Sequence, residues 1–298
     1  MTKTSASIDR QRIAFDYLEG LGLQDHDLIE EAALFRGFLV LPKSGRRGII
    51  CLAKGSHPKD IEALNLCGLV LQSTNRWSTL LSWRNKPNEL ARRIIYLGEH
   101  RGMSTVGPSQ WKRTVTWGDY GKMVWGAKLP VTGNLDLGVA RHYKDPCRLK
   151  HIDDALDLGV SLLVKTLPLI RVCTRMCCDG HGTTPFRVYF QYEWDHAWFT
   201  CVYQKLLAMR VFSPIGSSWN VSEDCLSIEP SSKSFSAESW LRVFLEIQEF
   251  SRLLMSQPLI NAVGKARQCT LQDFGSYRPL SSDCFRKVAE KYVNQTFY

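Results

Sequence analysis

Cysteine and histidine side chains are concentrated between residues 142 and 201. This stretch holds nine of them: His142, Cys147, His151, Cys173, Cys177, Cys178, His181, His196 and Cys201. Thiolates and imidazoles bind Zn²⁺ in structural sites, usually as two pairs of ligands a few residues apart. Cys178 and His181 form one such pair, and Cys147 and His151 lie four residues apart on a predicted helix. These four side chains are the candidate zinc ligands, and zinc is the candidate cofactor.

The spacing of the cysteines also fits a simpler interpretation. No Cys-X-X-Cys motif occurs, and the adjacent Cys177 and Cys178 would point to opposite faces of a strand. A secretory signal would favour a disulfide framework, but the N-terminal residues lack the apolar stretch of such a signal. We therefore expect most of the cysteines to be buried free thiols.

The same turn supports a catalytic hypothesis. Cys178 would be a nucleophile, His181 its base, and Asp179 or Asp195 the carboxylate that orients the imidazole. Glycines at positions 180 and 182 would expose backbone N–H groups to a developing oxyanion. The residues around the turn match no local signature of the known cysteine hydrolases.

Positive charge is concentrated in residues 41–130, which hold 15 Lys and Arg against 5 Asp and Glu, while the whole chain has a net charge of +9. The same segment contains five of the nine tryptophans. Cations attract phosphates over a long range, and aromatic rings give bases a surface on which to stack. The segment therefore predicts a surface that binds nucleic acid or another polyanion.

The candidate nucleic-acid-binding residues are those where cations and rings lie together or at the tip of a predicted hairpin. They are Lys43, Arg46, Arg47, Arg76, Trp77, Arg84, Lys112 and Arg113. The alternative is that the tryptophans belong to the core and the cations lie on an ordinary solvated surface.

Length and composition are typical of a globular protein with two parts. The 298 residues are 44% hydrophobic and 22% charged. The most apolar region, 156–170, is interrupted by Lys165 and Pro168 and is shorter than the roughly 20 apolar residues of a membrane span. We therefore expect a soluble, cytoplasmic protein without a membrane partner. The predicted parts are a basic, Trp-rich nucleic-acid-binding part (1–135) and an α+β domain that carries the Cys/His turn (136–298).

The elements that position these residues predict an α+β fold. Helices are expected from Ser7 to Leu18 and from Asp25 to Phe35, followed by a hairpin whose strands are Phe38–Leu41 and Ile49–Leu52. Two helices before a hairpin with a basic tip are typical of a winged-helix module.

Helices and antiparallel strands are expected to alternate in the second half. Its predicted strands are Leu169–Cys177, Phe186–Glu193 and Trp219–Ile228, and its main helices are Trp194–Arg210 and Ser236–Met255. A final amphipathic helix is expected within residues 284–298.

Three functions are compatible with these patterns. Nucleic-acid binding through the basic segment is the leading interpretation. The alternative is a zinc-assisted or thiol-based hydrolase centred on Cys178 and His181. The third is a protein-interaction module with a protein partner or a second copy of the chain. The sequence contains neither a GxxxxGK[ST] phosphate loop nor an HExxH motif. Nucleotide hydrolysis at a phosphate loop and proteolysis at an HExxH zinc site are therefore not supported.

Overall fold

The computed structural model describes residues 8–41, 51–52, 58–73, 78–97, 140–141, 156–222, 224–274 and 281–297. Within these ranges the chain contains nine α-helices and two antiparallel sheets, which confirms the predicted α+β class. No helix in these ranges combines the length and the apolar character that a bilayer crossing requires.

Two helices open the described chain, as the sequence predicts. α1 (Arg10–Gly20) begins after Asp9, whose carboxylate accepts a backbone N–H of the first turn at 3.0 Å and caps the helix. α2 (Asp25–Arg36) ends at Gly37, which adopts the left-handed conformation (φ 93°) common at helix ends. A Cβ at Gly37 would lie 2.2 Å from Oγ of Ser161, so the close packing of α2 also requires glycine there.

A four-stranded antiparallel sheet follows these helices, in the order β1, β2, β4, β3. Its strands are β1 (Val40–Leu41), β2 (Cys51–Leu52), β3 (Leu69–Ser73) and β4 (Ser78–Trp83). α3 (Pro58–Cys67) connects β2 to β3, and α4 (Pro87–Ile95) follows β4. The predicted antiparallel pairing of the two short strands is present between β1 and β2. The winged-helix detail is not confirmed, because a third helix follows these strands, whereas winged-helix modules place it before the wing.

The second half contains a five-stranded antiparallel sheet in the order β5, β6, β7, β9, β8. Its strands are β5 (Ala140–Arg141), β6 (Thr174–Cys178), β7 (Phe186–Phe190), β8 (Ser217–Val221) and β9 (Cys225–Pro230). The α-helices are α5 (Ser161–Thr166), α6 (Glu193–Ala208), α7 (Ala237–Leu254), α8 (Gln257–Phe274) and α9 (Ser282–Thr296). Three 3₁₀ helices cover Leu158–Val160, Leu167–Ile170 and Gly180–Gly182. α7 packs against both α5 and the β8–β9 hairpin, so it is buried between layers.

Two predicted strands differ from the structure. The strand expected over Leu169–Cys177 begins only at Thr174, because Arg171 adopts a left-handed conformation (φ 64°) that ends the preceding 3₁₀ helix. The strand expected over Trp219–Ile228 is two strands, β8 and β9, joined by a turn in which Ser222 N–H donates to the carbonyl of Cys225 at 2.9 Å.

One continuous hydrophobic cluster contains the buried residues of both halves of the described chain. Phe35 of α2 meets Phe244 of α7 edge to face, with ring centroids 5.0 Å apart. Around Phe250 of α7, the rings of Phe212 and Trp219 lie 4.8 and 5.0 Å away. Burial of these large apolar side chains is the main favourable contribution to folding.

Buried polar contacts also join the two halves. Arg36 at the end of α2 is fully buried, and its guanidinium donates to the carbonyl oxygens of Leu97 and Leu156 and to Oγ of Ser161. Such contacts satisfy a guanidinium that would be costly to bury alone. The predicted boundary between residues 135 and 136 lies outside the described residues.

Candidate functional site

The Cys/His turn lies between the antiparallel strands β6 and β7. Cys178 is the last residue of β6, and residues 180–182 form a 3₁₀ turn in which Gly180, His181 and Gly182 all have positive φ (70°, 51° and 75°). A Cβ at Gly180 would lie 2.9 Å from the carbonyl oxygen of Pro185, so this tight turn leaves no room for a side chain there. The turn presents His181 beside the end of β6.

A second segment, around Asp157, packs against this turn. The backbone N–H of Asp179 donates to Oδ2 of Asp157 at 3.3 Å, and the N–H of Gly159 donates to Oδ2 of Asp179 at 3.2 Å. A Cβ at Gly159 would come within 2.6 Å of Asp179 and Phe186, so glycine permits this close approach. These reciprocal bonds fix both carboxylates next to the end of β6.

Four potential metal ligands converge where the two segments meet. One ligand atom from each of Asp157, Cys178, Asp179 and His181 lies within 4.8 Å of the other three. The two carboxylates are buried, Cys178 is half-buried, and the His181 side chain is 29% exposed. Among the described residues these four side chains form the group that could hold a metal ion, and His181 is its solvent-accessible member.

Arg10 of α1 supplies a positive charge to this cluster. Its guanidinium forms a buried ion pair with Oδ1 of Asp179, and both side chains are almost completely excluded from water. Burial alone would raise the pKa of Asp179, but the charges of Arg10 and His181 and the N–H bonds from His181 and Gly159 outweigh it and hold the pKa low. Asp179 is therefore a carboxylate in the folded protein.

The Cys178 thiol has the opposite tendency. Burial raises its pKa well above the ordinary value, and the charges of Asp157 and Asp179 raise it further. The N–H of Gly180, 3.3 Å from Sγ, and the charge of Arg10 only partly oppose this shift. Without a bound cation, Cys178 is thus a neutral thiol at physiological pH.

The structure brings three of the predicted catalytic and metal residues together, namely Cys178, Asp179 and His181. Asp157 was not predicted, because it lies 22 positions before Asp179 and joins the site through tertiary packing alone. The other two predicted zinc ligands, Cys147 and His151, lie outside the described residues.

Asp195, the other acid expected to orient the histidine, has a different role. It lies at the start of α6 and accepts the backbone N–H groups of Cys173 at 3.0 Å and Tyr192 at 3.2 Å. Its carboxylate therefore caps a helix and anchors the chain before β6.

The described cysteines agree only in part with the prediction of mostly buried free thiols. Seven are free, and four of these are buried: Cys67, Cys177, Cys201 and Cys225. Cys173 is an exception, because it is disulfide-bonded.

Most of the predicted nucleic-acid-binding residues lie outside the described ranges, namely Lys43, Arg46, Arg47, Arg76, Trp77, Lys112 and Arg113. Arg84 is described: its side chain is exposed, and its backbone N–H donates to the carbonyl of Gly68 at 3.0 Å. The neighbouring Trp83 is half-buried and packs against the core. The Trp83 ring is therefore part of the core packing, as in the alternative interpretation of the tryptophans, and is not an open stacking surface.

Comparison of the chain with known families, proteins and structures identified no relative. No family model matches the chain, and no curated protein or solved structure is significantly similar to it. The geometry of the described residues is therefore the basis on which a function is proposed.

Proposed function

We propose that this protein binds a transition-metal ion, Zn²⁺ in the first instance, at the turn between β6 and β7 and uses it for metal-assisted hydrolysis. The observation that carries the proposal is the convergence of Asp157, Cys178, Asp179 and His181, whose ligand atoms lie within 4.8 Å of one another.

The donor set fits zinc. Thiolate sulfur, imidazole nitrogen and carboxylate oxygen are its usual protein ligands, at about 2.0–2.3 Å. Ligand atoms at the corners of such a tetrahedron lie roughly 3.3–3.8 Å apart. Side-chain rotations that bring three of these atoms, those of Asp157, Cys178 and His181, about 1 Å closer together would therefore allow them to bind one ion.

The charges of the cluster favour a metal over a thiol nucleophile. Burial, and then the two carboxylates beside Cys178, raise the pKa of its thiol, which opposes formation of the reactive thiolate. A divalent cation would reverse this effect, because it stabilises both the thiolate and the carboxylates. The same side chains that disfavour free thiolate chemistry therefore support metal binding.

An open coordination position supports catalysis. Asp179 is already bonded to Arg10 and to Gly159, and Nδ1 of His181 lies 3.7 Å from Oδ1 of Asp179. Closer approach of these two atoms would form the hydrogen bond by which a carboxylate orients a histidine whose other ring nitrogen binds the metal. Asp157, Cys178 and His181 would then supply three ligands and leave a fourth position to water, as in catalytic zinc sites.

Metal content tests this proposal. The protein, produced with Zn²⁺ and dialysed, should retain about one zinc ion per chain, and Cys178→Ser and His181→Gln should lose most of it. Cys284→Ser is the matched control, because Cys284 is exposed at the start of α9, outside the ligand cluster. The Co²⁺-substituted protein should show a thiolate-to-cobalt charge-transfer band that Cys178→Ser lacks. Zinc far below one per chain, or retention equal in all variants, would contradict the proposal.

The charge of residues 41–130 supports a second proposal, nucleic-acid binding. The excess of cations in this segment, 15 against 5 acids, is the observation that favours it. Arg84 and Lys86, the described cations between β4 and α4, are both exposed.

Binding to labelled DNA and RNA across a salt series tests this second proposal. Arg46→Ala with Arg47→Ala, and separately Arg84→Ala, should weaken binding and reduce its salt dependence. The log–log slope should fall by about 0.9 for each duplex phosphate that the variant no longer neutralises. Lys287→Ala on α9 is a charge-matched control outside the segment. Absence of binding at low salt would reject the proposal. Protein association that persists at high salt without nucleic acid would instead favour the interaction-module hypothesis.

A further inference from the structure

A cavity of about 910 Å³ lies between the chain segment that leads into β6 and one face of α8, and Pro168, Arg171 and Cys173 line it on the first side. The α8 residues that line it include Gly264, Arg267, Gln268 and Leu271. Residues at these spacings share one face of a helix. The opposite face of α8 is buried through Leu259, Val263, Ala266 and Thr270. One wall of the cavity is therefore the outward face of α8, whose other face packs against the core.

Arg267 packs against two aromatic rings beside this cavity. Its Cζ atom lies 5.0 Å from the ring centroid of Trp198 and 4.7 Å from that of Phe285. Contacts of this kind orient the guanidinium plane before any ligand arrives. Arg267 therefore offers a pre-oriented set of N–H donors.

One end of this guanidinium lacks a hydrogen-bond acceptor. Nη1 of Arg267 is buried and has no hydrogen-bond partner among the described residues. Burial lowers the pKa of Arg267, and the charge of Asp195 only partly opposes this. A buried donor without a partner is costly, and a rotation of the guanidinium that brings Nη1 to an anionic oxygen in the cavity would relieve that cost.

A second arginine, the exposed Arg171, lines the same cavity. Arg171 has a left-handed backbone (φ 64°), and its N–H donates to the carbonyl of Pro168 at 3.1 Å. The amide of Gln272 adds further polar groups, while Pro168 and Leu271 supply apolar surface; Leu271 is 51% exposed. Two arginines beside an apolar wall are the chemistry that recognises an oxyanion attached to an apolar body.

The cavity also has room for such a ligand next to the helix. A Cβ at Gly264 would meet no atom within 4 Å. Glycine in a helix interior costs about 1 kcal/mol relative to alanine, so its presence there is not explained by helix stability. The open space above Gly264 lies one turn from Arg267.

We infer that this cavity binds a small organic anion, a phosphate monoester or a carboxylate, through Arg267 and Arg171, with its apolar portion against Pro168 and Leu271. This inference is independent of the zinc proposal, because the two sites share no residue. The shared chemistry is the charged oxygen group, and the test below distinguishes its two forms.

The experiment measures binding of phenyl phosphate, benzoate and inorganic phosphate to the full-length protein by calorimetry at low salt, with sodium chloride as reference. We expect saturable binding of phenyl phosphate, benzoate or both, and weaker binding of inorganic phosphate, which lacks the apolar portion. Phenyl phosphate alone would assign a phosphate-bearing ligand, and benzoate alone a carboxylate. No saturable binding of either aromatic anion at millimolar concentration would overturn the inference.

Variants locate the binding at this cavity. Arg267→Met keeps the unbranched apolar stem between the two rings and should weaken binding at least about tenfold, because a charge-assisted hydrogen bond is removed. Gly264→Met should weaken ligand binding as strongly, because its side chain would fill the open space of the cavity. This variant removes no core contact, so it tests the location of the site even if Arg267→Met fails to fold. Arg286→Met on α9, an exposed arginine, is the control and should bind as the wild type does. Binding that is unchanged in Gly264→Met, or equally reduced in the control, would overturn the assignment.

Discussion

The Nζ atom of Lys165 lies 2.7 Å from Oδ2 of Asp60, and the two side chains are only 1% and 3% exposed. The ammonium also lies 4.8 Å from the centroid of the Phe38 ring. Lys165 belongs to α5 and Asp60 to α3. The lysine that interrupts the apolar run of residues 156–170 therefore forms a buried ion pair between the two halves of the chain.

Removing one partner of this ion pair should destabilise the protein strongly. Lys165→Met leaves the Asp60 carboxylate buried without its cation, which typically costs about 3–5 kcal/mol, the range expected here. The double variant Asp60→Asn with Lys165→Met should recover much of this loss, because neither charge then remains. Urea unfolding followed by circular dichroism measures both, with Lys287→Met, an exposed lysine on α9, as control. A single variant as stable as the wild type would show that the pair contributes nothing.

Glu246 should be essential for the loop that leads into β8. Its carboxylate accepts the backbone N–H groups of Ile215 and Gly216 and the hydroxyl of Ser217. Glu246→Ala removes the acceptor of the part-buried donors on Gly216 and Ser217, so we expect a loss of about 1–3 kcal/mol in the free energy of unfolding. Glu249→Ala, an exposed position one turn further along α7, is the matched control. Equal stability of the two variants would refute this role.

Asp195 should make stability depend on pH in the weakly acidic range. Burial raises its pKa from 3.8 to about 6, against the opposing effect of the N–H bonds from Cys173 and Tyr192. The folded protein therefore holds this proton more tightly than the unfolded chain does. The contribution is fully present below pH 3.8 and is lost as the pH rises through 6, by up to about 3 kcal/mol.

The comparison of wild type with Asp195→Asn isolates this contribution. Asp179 acts in the opposite direction, since its lowered pKa gives stability that is lost as the pH falls, but it is common to both proteins and cancels in the difference. Chemical unfolding at pH 4, 5, 6 and 7 should show that the stability of the wild type relative to the variant decreases with pH. A difference that stays constant would mean that Asp195 titrates normally.

Cys178 should react slowly with alkylating reagents in spite of its partial exposure. Its thiol is the neutral form near pH 8, and only the thiolate is an effective nucleophile. Timed iodoacetamide labelling with mass spectrometry should show Cys284, which is exposed, modified at least about ten times faster. Faster labelling of Cys178 than of Cys284 would restore the thiol-nucleophile hypothesis.

The sequence predicted the elements with strong hydrophobic periodicity. In α7, Trp240, Val243, Ile247 and Leu254 recur at helical spacing, and all are buried. By contrast α8 was not predicted, because its buried face has only three apolar residues, Leu259, Val263 and Ala266, and Gly264 lies near its centre. Amphipathic patterns reveal a helix only when its buried face is rich in apolar side chains.

The candidate site was predictable only where its residues are close in sequence. Cys178, Asp179 and His181 share one turn, so their spacing indicated the site. Asp157 and Arg10 reach it through tertiary packing, and charged residues such as these are expected on the surface from composition alone. Sequence patterns carry no signal for a buried arginine that meets an acid 169 positions away.

The buried guanidinium of Arg36 has a consequence for the order in which the chain can fold during synthesis. Two of its three acceptors, the carbonyl of Leu156 and the hydroxyl of Ser161, are translated 120 and 125 residues later. Until they leave the ribosome, α2 cannot close over its core without leaving these N–H groups unpaired, which is unfavourable. We therefore expect the first half of the nascent chain to complete its folding only after the second half is synthesised, and a truncated product to leave the apolar face of α2 exposed.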